Sequence, residues 1–197
     1  MIALAYHRVV DDSHAPFAVR PQDFAAQMGW LRRLGYHGAT LCAAAAQQGP
    51  RALALTFDDG TTDFAETAWP CLQRLGHAAA LFVAPGKAGG HADWDAGSGA
   101  ALLDWPALRD LLAAGVEIGA HGHTHVRLDP ADEDAAHAEW SAACHALAAQ
   151  LGTAPRALAY PYGKWSPALA QAAARAGFVL ACTARGGRNG ATTPPLK

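Results

Sequence analysis

The sequence predicts an α/β protein with a parallel sheet, open or closed into a (β/α) barrel, on three observations. Short apolar runs alternate with amphipathic segments about six times along 197 residues. No run is joined to the next by a hairpin signal, which leaves crossover helices as the connections. The third observation is placement: the residues able to do chemistry follow directly on the apolar runs, and folds of this class carry their sites at the carboxyl ends of strands.

Each element has its own signal. "IALAYH" is a short strand ending at His7, and "VDDSHAPFAV" reads as a polar loop. In "RPQDFAAQMGWLRRLGY", Phe24, Met28, Leu31 and Leu34 recur at helical spacing and Gly35 closes the segment. "ALALTF" is a strand, and "FAETAWPCLQRLG" a helix closed by Gly76 with a kink expected at Pro70. After the strand "AAALFVAP" comes "GKAGGHADWDAGSGA", glycine-rich, aperiodic and too long for a simple connector. "DWPALRDLLAAG" is a helix with Asp104 as N-cap, "VEIGAH" a strand, and "DPADEDAAHAEWSAACHALAAQLG" a long packing helix with an acidic first turn. "ALAYP" is a strand, "SPALAQAAARAG" a helix with Ser166 as N-cap and Pro167 at its first position, and "FVLACT" a strand.

Composition excludes several function classes. Half the residues are apolar and 16% are charged, as in a globule with one sizeable core, so a single domain over residues 1–197 is expected. Lys+Arg 15 against Asp+Glu 17 leaves no basic excess, which argues against nucleic acid and anionic membrane as partners. Cys42, Cys71, Cys144 and Cys182 lie far apart in apolar stretches and read as small reduced core residues. No run spans a bilayer and "MIALAY" lacks the marks of a secretory leader, so the chain as given reads as cytoplasmic; removal of a leader would make it periplasmic or extracellular.

His7, Asp58-Asp59, His121-x-His123-x-His125 and Tyr160-Pro161-Tyr162-Gly163 all fall at or just past the end of a predicted strand. His121 and His125 converge on one ion whether their segment turns or stays extended. Gly119 and Gly122 favour a turn, which sends His123 elsewhere. A zinc site needs a further ligand, and a carboxylate from another strand end is the usual supplement. A dication there also relieves the repulsion between Asp58 and Asp59. Neighbouring side chains of an extended segment diverge, so one of the two coordinates and the other is free to take a proton from metal-bound water.

"TFDDG", "H-x-x-x-H" after "EIGA", and "YPYG", in that order, resemble the polysaccharide deacetylase family, also called the NodB-homology domain or carbohydrate esterase family 4. The likeness runs from "YHRV" to "GFVLACTARGG". It implies a distorted (β/α) barrel that removes N-acetyl groups from sugars in an oligo- or polysaccharide. It implies Asp58 as general base, and Asp59, His121 and His125 as ligands of a divalent metal, Zn²⁺ first, with Co²⁺ or Ni²⁺ also suited to such donors. The backbone N–H of Tyr162 is implied as an oxyanion donor, and Pro161 and Tyr162 as substrate contacts.

The chain departs from the family pattern in three places. Gly122 stands where many members have Ser or Thr, which leaves Thr124 to support the loop; Ala159 and Tyr160 stand where an arginine often precedes "PY"; and the late Leu-x-His that usually supplies the general acid is missing before "TTPPLK". Either the chain is truncated or the acid comes from elsewhere. His7 is the expected substitute, since "AYHRV" resembles the N-terminal Tyr-His of the branch acting on poly-β-1,6-N-acetylglucosamine. Trp94 with Asp95, Trp105 and Trp165 are candidates for an aromatic sugar platform, Trp94 foremost. A catalytically silent carbohydrate-binding domain and a hydrolase of another small amide or ester remain as alternatives.

Overall fold

In the computed structural model, which describes residues 1–12, 15, 17–47, 51–94, 99–128, 133–186 and 193–196, strand and helix alternate from Pro21 onward. The chain runs β1 (Ile2–Tyr6), β2 (Arg8–Val9), β3 (Ala18–Val19), α1 (Pro21–Arg33), β4 (His37–Ala39), α2 (Leu41–Gln47) and β5 (Ala52–Phe57). A wide π-type turn over Phe64–Ala68 leads into α3 (Trp69–Leu75), followed by β6 (Ala80–Val83), α4 (Trp105–Ala113), β7 (Glu117–Ala120) and α5 (Glu133–Leu151). The last elements are β8 (Ala157–Ala159), α6 (Pro167–Arg175) and β9 (Leu180–Cys182). Residues 129–132 of the predicted long helix lie outside the described residues.

The seven-stranded sheet has the order β1-β5-β6-β7-β8-β9, with β4 also on β5, and every pair is parallel. It curls until its two edges, β1 and β9, face one cavity, so the architecture is the expected distorted (β/α) barrel. Alternation along β5 shows how the two faces divide. Leu53, Leu55 and Phe57 pack under the helices with Phe24, Met28 and Leu72, whereas Ala54 faces inward with Ala80, Phe82, Ala157 and Ala159. Small side chains suit so tight a curl, and Phe82 fills its centre. Leu41 and Ala44 of α2 join this inner cluster, and Glu117 at the start of β7 accepts from the Cys42 N–H at 3.0 Å. Helix α2 therefore plugs the end where the strands begin and leaves the other end open.

Local signals explain the helix ends. Asp104 accepts from the Ala107 N–H and Ser166 from the Leu169 N–H, as their positions predict. The kink expected at Pro70 is realised as the π-type turn, in which the Trp69 N–H reaches back to the Phe64 carbonyl. Proline has no N–H to give the carbonyl four residues earlier, and the wider turn absorbs the misfit. The predicted loop after His7 contains a short ladder instead, Arg8–Val9 on Ala18–Val19. Asp63 holds it, taking Arg8 Nε at 2.9 Å and the Val9 N–H at 2.7 Å.

His77, only 4% exposed, joins three elements. Its Nδ1 accepts from the Gly38 N–H at 2.8 Å, and its Nε2 lies 3.2 Å from the Met28 carbonyl, to which it donates. That pattern needs the neutral ring, and burial lowers its pKa against the Met28 bond, with His37 and Arg32 also lowering it. Protons therefore bind the unfolded chain more readily, so stability is full above the ordinary histidine pKa of about 6.5 and falls as the pH drops below it. The urea midpoint of the wild type should drop between pH 7.5 and 5.5. In His77→Gln it should start lower and change less over that window.

No helix among the described residues is long and apolar enough to cross a membrane. The end of the chain folds back: the Ala181 N–H donates to Pro195, and the Leu196 carbonyl accepts from Tyr160 Oη and Trp165 Nε1.

Candidate active site

The open end of the barrel is a cleft of about 350 Å³, lined among others by His7, Asp58, Asp59, Trp94, His121, His125 and Tyr162. Six of these seven follow directly on a strand or its turn, and Trp94 arrives from the long loop. The backbone is special here. Phe17, Asp59, His125 and Tyr162 have φ of 53°, 71°, 61° and 57°, and they are the non-glycine residues in the left-handed region among those described. All four line this cleft. Left-handed single residues reverse the chain within one step, which is how a strand end can aim a side chain across the opening.

Asp59 Oδ1 lies 3.4 Å from His125 Nε2 and 3.7 Å from His121 Nε2, and the three ligand atoms are all within 4.8 Å of one another. His121 Nδ1 meets the Ala159 carbonyl at 2.8 Å and must donate to it, which leaves Nε2 with a bare lone pair in the neutral ring. Burial, followed by the charge of His121, pushes the His125 pKa down to about 3, so its ring is neutral. Burial also raises the pKa of Asp59, opposed by His121, His7 and the Trp94 hydrogen bond, while Asp58 adds to the rise. Three electron-pair donors thus face one another in a desolvated corner. Ligands on a tetrahedral zinc ion with bonds of about 2.1 Å stand roughly 3.4 Å apart, close to the two Asp59–histidine separations, so the donor set suits a divalent cation. His123 is not part of it: its carbonyl accepts from the Gly86 N–H at 2.8 Å and its ring packs against Gly86, away from the cleft.

Asp58 lies beside this triangle but outside it. Its Oδ2 is 3.9 Å from His7 Nε2, so acid and base candidates oppose each other across the floor. Tyr6, Asp58 and Asp63 link the first two strand ends: the Asp58 N–H donates to the Tyr6 carbonyl and Asp63 holds Arg8.

Trp94 stacks on His125, ring centroids 4.1 Å apart at 19°, and its Nε1 donates to Asp59 Oδ1 at 3.2 Å. One face of the expected sugar platform is therefore covered by the His125 ring. The loop carrying it is anchored by antiparallel bridges Thr61–Leu102 and His91–Ala101. Asp95 lies outside the described residues. Trp105 and Trp165 pack against the main core and do not line the cleft.

Tyr162 is 47% exposed and meets His125 edge to face at 4.9 Å. Its turn is closed by the Gly163 N–H on Tyr160 and the Lys164 N–H on Pro161, so the Tyr162 N–H is not used in closing it. Pro161 is buried and absent from the cleft lining; its Cγ would stand 3.4 Å from a β-carbon at Gly122, so it packs against the histidine loop. Gly163 allows the turn to touch Ala184: a β-carbon there would fall 2.3 Å from Ala184 Cβ.

Sequence reasoning missed Arg8 and Phe17, both of which line the cleft, and Glu139 of α5. Arg8 stood in plain view in "YHRV", but its partner Asp63 is 55 residues away. Glu139 Oε1 accepts from the His123 N–H at 2.9 Å, the Thr124 N–H at 2.5 Å and Thr124 Oγ1 at 2.8 Å.

Comparison with known proteins agrees with this geometry. The family model described as polysaccharide deacetylase matches residues 45–181. YxkH of Bacillus subtilis (strain 168), whose name places it among the polysaccharide deacetylases, is 24% identical over 190 residues. That match covers 93% of this chain and 64% of YxkH, so the chain spans somewhat under two thirds of this relative. IcaB from Ammonifex degensii superposes with a TM-score of 0.83 at 27% identity, covering 93% of this chain and 83% of that one. The Streptococcus pyogenes deacetylase PplD, solved with acetate, gives 0.77 at 26%, covering 91% and 81%. The BpsB deacetylase domain from Bordetella bronchiseptica, at 21% identity, shares the fold with a TM-score of 0.77 over 99% of this chain and 92% of that one. With the matched region taking in β5 to β8, Asp58, Asp59, His121 and His125, the chain belongs to the polysaccharide deacetylase family.

Proposed function

We propose that this chain is a metal-dependent hydrolase that removes N-acetyl groups from acetamido sugars of a polysaccharide or its precursor. One observation carries the reading: a second carboxylate, Asp58, stands beside the Asp59–His121–His125 donor set but outside it, on the floor of an open cleft. PplD, a relative named as a deacetylase, was solved with acetate, the product this reaction releases.

Asp59, His121 and His125 would hold a divalent cation, which would supply Lewis acidity toward the acetyl carbonyl and water. Asp58 accepts the proton of the attacking water as the new C–O bond forms. The Tyr162 N–H donates to the oxygen that gains charge in the tetrahedral transition state. The C–N bond then breaks and the leaving nitrogen takes a proton, for which His7 is placed opposite Asp58. The N-terminal Tyr6-His7 pair supports a poly-β-1,6-N-acetylglucosamine type of polymer as the substrate class.

Acetate release from an N-acetylglucosamine oligomer tests the reading. Release is expected with added zinc, to be lost on chelation and to return when zinc is restored. A protein that binds zinc and oligomer but frees no acetate would be the silent binding domain instead.

A further inference from the structure

The two ligand histidines are held in different ways. His121 is oriented by its own ring, through the Nδ1 bond to the Ala159 carbonyl. The Nδ1 of His125 is buried and bonds to no other residue among those described. Metal-binding histidines almost always use that second nitrogen to fix the ring. Something else must therefore aim His125.

The backbone does it. His125 sits at φ 61°, a conformation that places the ring only as well as the preceding residues are fixed. Those residues are gripped from both sides. On one side the His123 carbonyl accepts from the Gly86 N–H. On the other, a single oxygen of Glu139 takes two successive backbone N–H groups and the Thr124 hydroxyl. Consecutive N–H groups after a left-handed residue make an anion-holding concavity, and Gly122, at φ 73°, supplies that residue. A β-carbon at Gly122 would come within 3.4 Å of Glu139 Oε1, so the carboxylate seats closely in the turn.

We propose that Glu139, on the helix that follows the histidine loop, is the positioning residue for His125, performing through the backbone what a ring hydrogen bond performs for His121. This rests on Asp59, His121 and His125 being the metal site, and the experiment separates the two. Zinc affinity is measured by competition with a chromophoric chelator, alongside the Co²⁺ absorption spectrum and thermal unfolding, for the wild type, Glu139→Ala, Glu139→Gln and Thr124→Val. Wild type is expected to bind tightly, Glu139→Ala about 10–100-fold more weakly with an altered Co²⁺ spectrum, and Thr124→Val to lose less. Glu139→Gln keeps an acceptor and should recover most of the loss. A wild type that binds no zinc overturns the metal site itself. A wild type that binds, with Glu139→Ala binding equally well or losing only melting temperature, overturns the positioning role. If Glu139→Ala does not fold, Thr124→Val decides, and wild-type affinity in that variant overturns the proposal.

Discussion

Asp58→Asn should lower kcat for acetate release by about 10²–10⁴-fold, the usual contribution of a positioned general base. Asparagine preserves the size of the side chain and its fit at the end of β5, so the loss falls on proton transfer. Zinc affinity should stay within a few-fold of wild type, because the donor set consists of Asp59, His121 and His125 and does not include Asp58. His7→Ala should also lower kcat with zinc retained. The two side chains face each other at 3.9 Å and in the proposed mechanism serve one reaction cycle, so the double variant should lose less than the product of the single losses. Full activity in Asp58→Asn would remove the mechanism; full kcat in His7→Ala with zinc bound would send the search for the acid elsewhere.

The second large effect is expected at a residue with no functional group. Gly163→Ala would bring a β-carbon to 2.3 Å from Ala184 Cβ and 2.7 Å from its nitrogen, at φ 62°. Overpacking costs about 1–3 kcal/mol, and a left-handed backbone adds roughly 1–2 kcal/mol once the glycine is gone. The chain has two responses: it keeps the turn and loses stability, or it moves the turn and with it the Tyr162 N–H. A fall in the urea midpoint, in kcat, or in both is therefore expected. Adding Ala184→Gly should restore only part of it, since the clash with the backbone nitrogen persists. Unchanged midpoint and unchanged kcat would show that the close approach of the two strand ends carries no weight.

How much of this was legible in the sequence varies by element for physical reasons. Strand ends were legible because parallel strands bury continuous apolar runs, and a charged residue after such a run has few places to go. Asp58, Asp59, His121 and His125 were found that way, and both helix caps by local chemistry. The segment His37–Gln47 was not, although it holds a strand and the helix that plugs the barrel. A three-residue strand such as His37–Ala39 has no periodicity of its own and exists through its pairing with β5. The cap of the following helix was visible only in hindsight, as Thr40 Oγ1 accepting from the Ala43 N–H. Glu139 was hidden differently: on an alanine-rich helix a carboxylate looks like part of a solvated face, and its partners lie 15 and 16 residues upstream. Trp94 was located by its loop, but nothing local tells that its ring would lie on His125.

The left-handed residues of the cleft have a thermodynamic consequence. Each such conformation costs on the order of 1–3 kcal/mol, less for Asp59 and His125, whose types tolerate it, than for the aromatic Phe17 and Tyr162. Against a net folding free energy of about 5–15 kcal/mol for a typical domain, that sum is a sizeable share. Selection for heat resistance alone would therefore tend to relax these very positions, by glycine at 17 or 162 or by a repacked turn, and would yield sturdier proteins with poorer catalysis. Any thermostabilised lineage of this chain should be screened for turnover at every round, since its easiest gains lie where its chemistry is held.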